Sequence, residues 1–110
     1  MKTKIIYSSI LPFKGFKAIN LFGIIFARKE CAPLTPRIVH HERIHTRQML
    51  EMLILFFYIW YVSEWLARLI RYGDAMKAYR NISFEREAHA NDADFSFLQH
   101  REPYHFLHYL

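Results

Sequence analysis

Pro36-Arg37-Ile38-Val39-His40-His41-Glu42-Arg43-Ile44-His45-Thr46-Arg47-Gln48 is the stretch on which the reading of this chain turns. Thr35, just before it, is a good helix N-cap, and Pro36 suits the first helical position, where an N–H has no partner anyway. No Gly or Pro follows until Gly73. His41 and His45, four residues apart, therefore share one face of a helix and can close on a single ion. That is the spacing of a zinc site. Imidazole nitrogens hold Zn²⁺ at about 2.0–2.1 Å, and a catalytic site takes three protein ligands and leaves a fourth place for water. Glu42 is then the general base rather than a ligand. His40 leaves the helix about 100° away from His41 and reads as a neighbour.

The rest of the composition sets bounds. A chain of 110 residues suits one domain spanning 1–110, and 53% hydrophobic with 17% aromatic residues excludes disorder. The net charge of +5 is scattered, so no nucleic-acid partner is expected, while an anionic membrane surface stays open as a partner. The lone Cys31 cannot form an internal disulfide, which fits a cytoplasmic location, and it reads as a small buried residue. Met1 to Phe13 faintly resembles a signal peptide, but no small-x-small cleavage site follows and the segment reads as mature protein.

Outward from the motif, residues 4–11 and 16–28 are rich in β-branched and aromatic types and flank Pro12-Phe13-Lys14-Gly15, a plausible turn. A β-hairpin between the two is the economical reading, with the second strand apolar on both faces. From Pro36 to Tyr72 nothing in the composition stops a helix, yet that length would run about 55 Å, so a break is expected near residues 48–53. Met52 to Ser63 is uncharged, too short to span a bilayer at twelve residues where about twenty are needed, and reads as a buried core helix. Glu64 within that helix needs a partner such as Arg68. Asp74 caps a short helix through Tyr79, and a last helix over about 83–99 carries Phe84, Ala88, Phe95 and Leu98 as its apolar stripe. The fold class is α+β: an N-terminal β-hairpin packed against about three to four helices.

Two histidines need a third ligand. A local one fails, because it requires Gly at 48 and His at 51, where the chain has Gln48 and Glu51. The last helix offers Glu85, His89 and Asp92 at i, i+4 and i+7, on one face beside the apolar stripe. Glu87 points about 200° from Glu85 and is solvated or paired with an Arg.

His41-Glu42-x-x-His45 followed by Glu85-Arg86-Glu87-Ala88 resembles the gluzincin metallopeptidases, in particular the small single-domain minigluzincins, over about residues 18–95. The resemblance implies a zincin-like fold and a zinc cofactor held by His41, His45 and Glu85. It also implies Glu42 as the base that activates water, and a strand around 20–28, with Asn20, Phe22 and Ile24, as the edge that binds an extended peptide or protein substrate. His89 departs from the family pattern, which has Asp there to steady a zinc histidine; Asp92, one turn on, is the substitute. Tyr79, His89, His105 and Tyr104 are candidates to stabilise the oxyanion.

Two other readings stand beside the zinc peptidase. One is an inactive zinc-binding protein whose tail, 100–110, packs on the site and supplies His105 or His108. The other is a metal-free helical membrane-surface or interaction module.

Overall fold

A straight helix over 36–72 would exceed the molecule's longest dimension of 35 Å, so the chain has to turn back within it. A computed structural model describes residues 4–10 and 16–110. The run divides there into α1 (Pro36–Glu51) and α2 (Leu55–Tyr72), bent by 112°. The expected break falls at residues 52–54, at the end of the window read from the sequence. Leu53 and Ile54 take up the turn with φ of 54° and 56°. Left-handed backbone is rare for a β-branched residue such as Ile54 and costs on the order of 1–3 kcal/mol. The turn is held because the Ile54 N–H donates to Met49 C=O at 2.7 Å and the Ile54 side chain packs on the Met49 and Phe57 core.

The caps follow the sequence. The Thr35 hydroxyl accepts from the Ile38 N–H at 3.2 Å, and Gly73 ends α2 in the left-handed region at φ 67°. Asp74 then accepts from the N–H groups of Met76 and Lys77 to start α3 (Ala75–Arg80). α4 (Ser83–Asn91) has no cap from its own N-cap residue, Ile82. Glu64 of α2 serves instead, accepting from the Ser83 N–H and hydroxyl, both at 2.6 Å, with Arg68 3.5 Å away.

The last helix is shorter than its apolar stripe suggests. After Asn91 the Asp94 carboxylate accepts from the N–H and hydroxyl of Ser96, a local turn that competes with helix, and α5 occupies only Phe97–His100. Phe95 lies exposed in that turn rather than on a core stripe. Phe84 and Ala88 are buried as expected, and Leu98 packs against the smaller core of Ile44, Ala88 and Phe97.

The fold is α+β as expected, but the pairing of its strands differs. β2 (Ala18–Leu21) and β3 (Ile24–Arg28) form the hairpin, turning at Phe22-Gly23 with φ of 54° and 88°. β1 (Lys4–Ser8) pairs parallel to β3, giving the order β1-β3-β2. A single strand over 16–28 was the wrong reading because the Phe22-Gly23 turn sits inside one apolar run. The expected turn at Pro12–Gly15 lies outside the described residues. Cys31 is half-buried rather than buried.

One correction concerns an apolar segment. α2 is not a buried core helix: Phe57 alone among its residues is fully buried, and its outward side is exposed and apolar. The tail does pack. Phe106 is buried in the main core with Met49, Phe57, Ile82 and Phe84, where each such ring contributes about 1.5–3 kcal/mol by leaving water.

Candidate metal centre

α1 packs against both α4 and β2. Asn20 fixes that second contact, donating through Nδ2 to the Glu42 C=O at 2.8 Å and to the Thr46 hydroxyl at 2.7 Å. The motif helix is thus held between the edge strand and α4.

His41, His45 and Glu85 are all buried and bring one donor atom each to within 4.8 Å of one another. His41 Nε2 lies 3.3 Å from Glu85 Oε1, and His45 Nε2 lies 3.1 Å from Oε2. The far nitrogens are already committed. His41 Nδ1–H donates to Asp92 Oδ2 at 3.1 Å, and Arg37 Nε donates to the other Asp92 oxygen at 2.7 Å. His45 Nδ1–H donates to Gln48 Oε1 at 2.8 Å. The orientation of that amide is fixed, because Gln48 Nε2 donates to Phe84 C=O at 3.2 Å and to Glu87 Oε1 at 3.1 Å.

This wiring tests whether the residues suit a metal. With both Nδ1 atoms protonated, each Nε2 presents a lone pair to the Glu85 carboxylate. Nitrogen and oxygen lone pairs repel unless positive charge stands between them, either a second proton on a ring or a cation. His45 Nε2 is buried and makes no hydrogen bond despite its closeness to Glu85. Two imidazoles and a carboxylate, each ring oriented from behind, are a donor set that fits Zn²⁺.

Electrostatics agree with a site that seeks a cation. Burial works against the charged His45 ring, but the Glu85 charge 3.1 Å away, with Glu42 and Gln48, outweighs it and pushes the ring up to about 9. Burial would raise Glu85, yet His45 and His41 hold it well below the usual carboxylate range. Glu42 is raised, by burial first and by Glu85 second, against the lowering effect of the two rings. A carboxylate raised in this way is a better proton acceptor.

Two cavities meet at Glu42. One of about 280 Å³ is bounded by Ala18, Asn20, His45, Phe57, Tyr61 and Glu85 among others, and the second, of about 320 Å³, by Arg37, His41, His89 and Asp92. Tyr79 lines both, and burial and the Glu85 charge raise its hydroxyl pKa. His89 is half-exposed, its ring 4.5 Å from His41 and its Nε2 3.8 Å from Glu85. Burial and the neighbouring His41 lower its pKa. His41, His89 and Asp92 form a second group of donors within 4.8 Å.

Other expected positions fall elsewhere. Phe22 is in the hairpin turn and Ile24 is on the central strand β3, paired on both sides with Lys4 and Leu21, so neither forms an edge. The edge is β2. Arg28 N–H donates to Lys17 C=O at 3.2 Å, and alternation then turns the backbone groups of Ala18 and Asn20 away from β3. Tyr58 takes the Asn20 carbonyl at 3.3 Å, which leaves Ala18 as the outward position.

Tyr104 and His105 lie away from the site. The Tyr104 N–H donates to Glu51 at 3.0 Å, and the His105 ring faces Phe97, His108 and Tyr109. No residue of 100–110 lines either cavity. His40 packs its ring edge-on to Phe95. Glu87 is fully buried and paired with Arg101 at 2.5 Å, so the Arg pairing holds and solvation does not.

Three contributors escape the sequence reading. Tyr61 donates its hydroxyl to Glu85 Oε2 at 2.7 Å, and burial and that carboxylate push its pKa well up. Tyr58, Tyr61 and Trp65, at i, i+3 and i+7 on an otherwise apolar helix, were a visible stripe of polar-tipped aromatics. Gln48, three residues after His45, and Arg37, four before His41, share the motif's own face. No protein-family model, no curated protein and no solved structure matches the chain.

Proposed function

We propose that the protein is a zinc-dependent metallopeptidase of gluzincin type, with His41, His45 and Glu85 holding the metal and Glu42 as general base. The observation that carries the reading is the approach of both Nε2 atoms to one carboxylate, with both Nδ1 atoms tied back to Asp92 and Gln48. Zinc bound there supplies a Lewis acid that brings the pKa of water near neutral and polarises a carbonyl. Glu42, raised in pKa and lining both cavities, takes the proton from water and passes it to the leaving amine. The outward Ala18 amide and carbonyl on β2 pair an extended peptide as an added strand. Tyr79, at the junction of the cavities, donates its hydroxyl to the developing oxyanion.

A Glu42→Gln variant tests the assignment. It should bind zinc in the same stoichiometry as the parent and lose peptide hydrolysis by about 10²–10⁴-fold. Full activity in this variant would remove Glu42 from the mechanism. The ion pairs from Glu85 to both rings favour a second reading, a metal-free cluster of imidazolium and carboxylate groups. Metal analysis of purified protein decides between them: zinc near one per chain, lost in Glu85→Ala, supports the peptidase, and its absence supports the cluster.

A further inference from the structure

α2 has two unlike faces. Phe57, Tyr58, Tyr61 and Trp65 turn inward to the core and the candidate site. On the other side, Leu55, Ile59, Val62, Leu66 and Ile70 recur every three or four residues with 65%, 54%, 52%, 48% and 86% of their surface exposed. Phe56 and Trp60 widen the stripe, and Leu50 and Leu53 extend it around the α1–α2 turn. Single exposed apolar residues are ordinary, but a continuous apolar face along a whole helix marks a binding surface.

The charges around this face say what binds there. The exposed Arg71 lies at one end of it, beside Arg68, which pairs with Glu64 at 3.5 Å, and the exposed Arg43 and Arg47 lead to Leu50 along α1. The nearby carboxylates are engaged inward. Glu51 accepts from Arg101 at 2.8 and 3.0 Å, and Glu64, the one acidic residue of α2, caps α4 through Ser83. An apolar stripe carrying Trp, with basic residues at its rim, is the pattern of a helix that lies in the interfacial plane of a bilayer. A second copy of the chain fits less well, because the face offers no free acid to meet the arginines of its mate. No single helix among the described residues is long and apolar enough to cross a membrane, and α1 and α2, which have the length together, are bent by 112°.

We propose that the outward face of α2 docks the protein on an anionic lipid bilayer. Leu55, Ile59, Val62, Leu66 and Ile70 enter the acyl boundary, and the exposed Arg71 meets lipid phosphates. This docking is independent of the metal.

Flotation of the purified full chain with phosphatidylcholine vesicles, with and without phosphatidylserine, tests it. The bound fraction should be about tenfold higher on the anionic vesicles and should fall with added salt. Ile59→Glu with Leu66→Glu should abolish flotation, and Arg71→Gln should remove most of the preference for phosphatidylserine, with helical circular dichroism unchanged in both. In a Trp65→Phe background, Trp60 fluorescence should shift to the blue on anionic vesicles. A folded chain that floats with neither vesicle overturns the proposal, as does equal flotation on both. A dimer in solution that Ile59→Glu converts to monomer, with no vesicle binding, assigns the face to a second copy and likewise overturns it.

Discussion

His41 and His45 stand one turn apart on α1, yet they are held from behind in opposite ways. His41 donates to a carboxylate, Asp92, whose other oxygen is pinned by Arg37 at the molecular rim, with the Arg37 side chain 62% exposed. His45 donates to a neutral amide, Gln48, which hands its own protons to Phe84 C=O and to buried Glu87. Glu87 in turn is gripped by Arg101, and Arg101 by Glu51. The first support is short and ends in water. The second runs through the interior and ties α1, α4 and the C-terminal segment together. A carboxylate behind an imidazole makes the front nitrogen a stronger donor, whereas an amide chiefly aims it. On the proposed zinc site the His41 arm therefore tunes a ligand, and the His45 arm is also part of what holds the fold.

The largest expected effect tests the structural half of that contrast. Arg101→Met leaves Glu87 and Glu51 facing each other without their common cation, both away from full solvent. Removing one partner of a buried ion pair costs about 3–5 kcal/mol. Urea denaturation of metal-free protein should show a loss of this size. A loss below about 1 kcal/mol, the worth of a surface pair, would show that the interior chain is no strut.

Gln48→Leu comes next and strikes both functions at once. It leaves the buried His45 Nδ1–H without its acceptor, which costs about 1–3 kcal/mol of stability, and frees the ring to turn. Loss of such an orienting partner lowers metal affinity by about 10–100-fold. Zinc titration against a competing chelator reads the second effect. Unchanged affinity would mean that the ring is aimed by packing against Phe57, 6.4 Å away between ring centres, and not by the amide.

How much of this arrangement was legible follows from where each partner sits. The motif residues, Thr35, Pro36 and Asp74 act within a turn or two of themselves, and their spacing carried the information. The face with Glu85, His89 and Asp92 was legible because it and the two rings had to meet for any site to exist, and the resemblance to gluzincins singled out Glu85. Gln48 was within reach but was weighed only as a place where Gly was absent. The Glu87–Arg101–Glu51 chain joins residues up to fifty apart, and no local pattern encodes that contact. The hairpin was misplaced for the same kind of reason: Phe22-Gly23 is a weak turn signal inside an apolar run. The exposure of α2 was misread because an apolar segment has the same composition whether a core or some other surface covers it.

Asp92→Asn tests the tuning half. The amide keeps a hydrogen-bond acceptor for His41 Nδ1 and almost the same shape but carries no charge. Zinc affinity should fall by about tenfold, at the low end for such partners, while the urea midpoint of the metal-free protein barely moves. A destabilisation as large as that of Gln48→Leu would erase the distinction between the two arms.

Arg37→Ala should do least, and the reason sharpens the comparison. Arg37 holds Asp92 at 2.7 Å, but most of its own side chain is in water, where an ion pair is screened and typically contributes no more than about 1 kcal/mol. Asp92 keeps its bond to His41 and stays buried without Arg37. Zinc affinity should therefore change by less than about threefold, and added salt should shrink the difference further because it already weakens the pair in the parent. The same salt titration on Arg101→Met should leave its larger deficit in place, since that cation sits where ions of the solvent do not reach. Equal salt sensitivity in the two variants would mean that the arms differ only in length, and that the interior one is as open to solvent as the other.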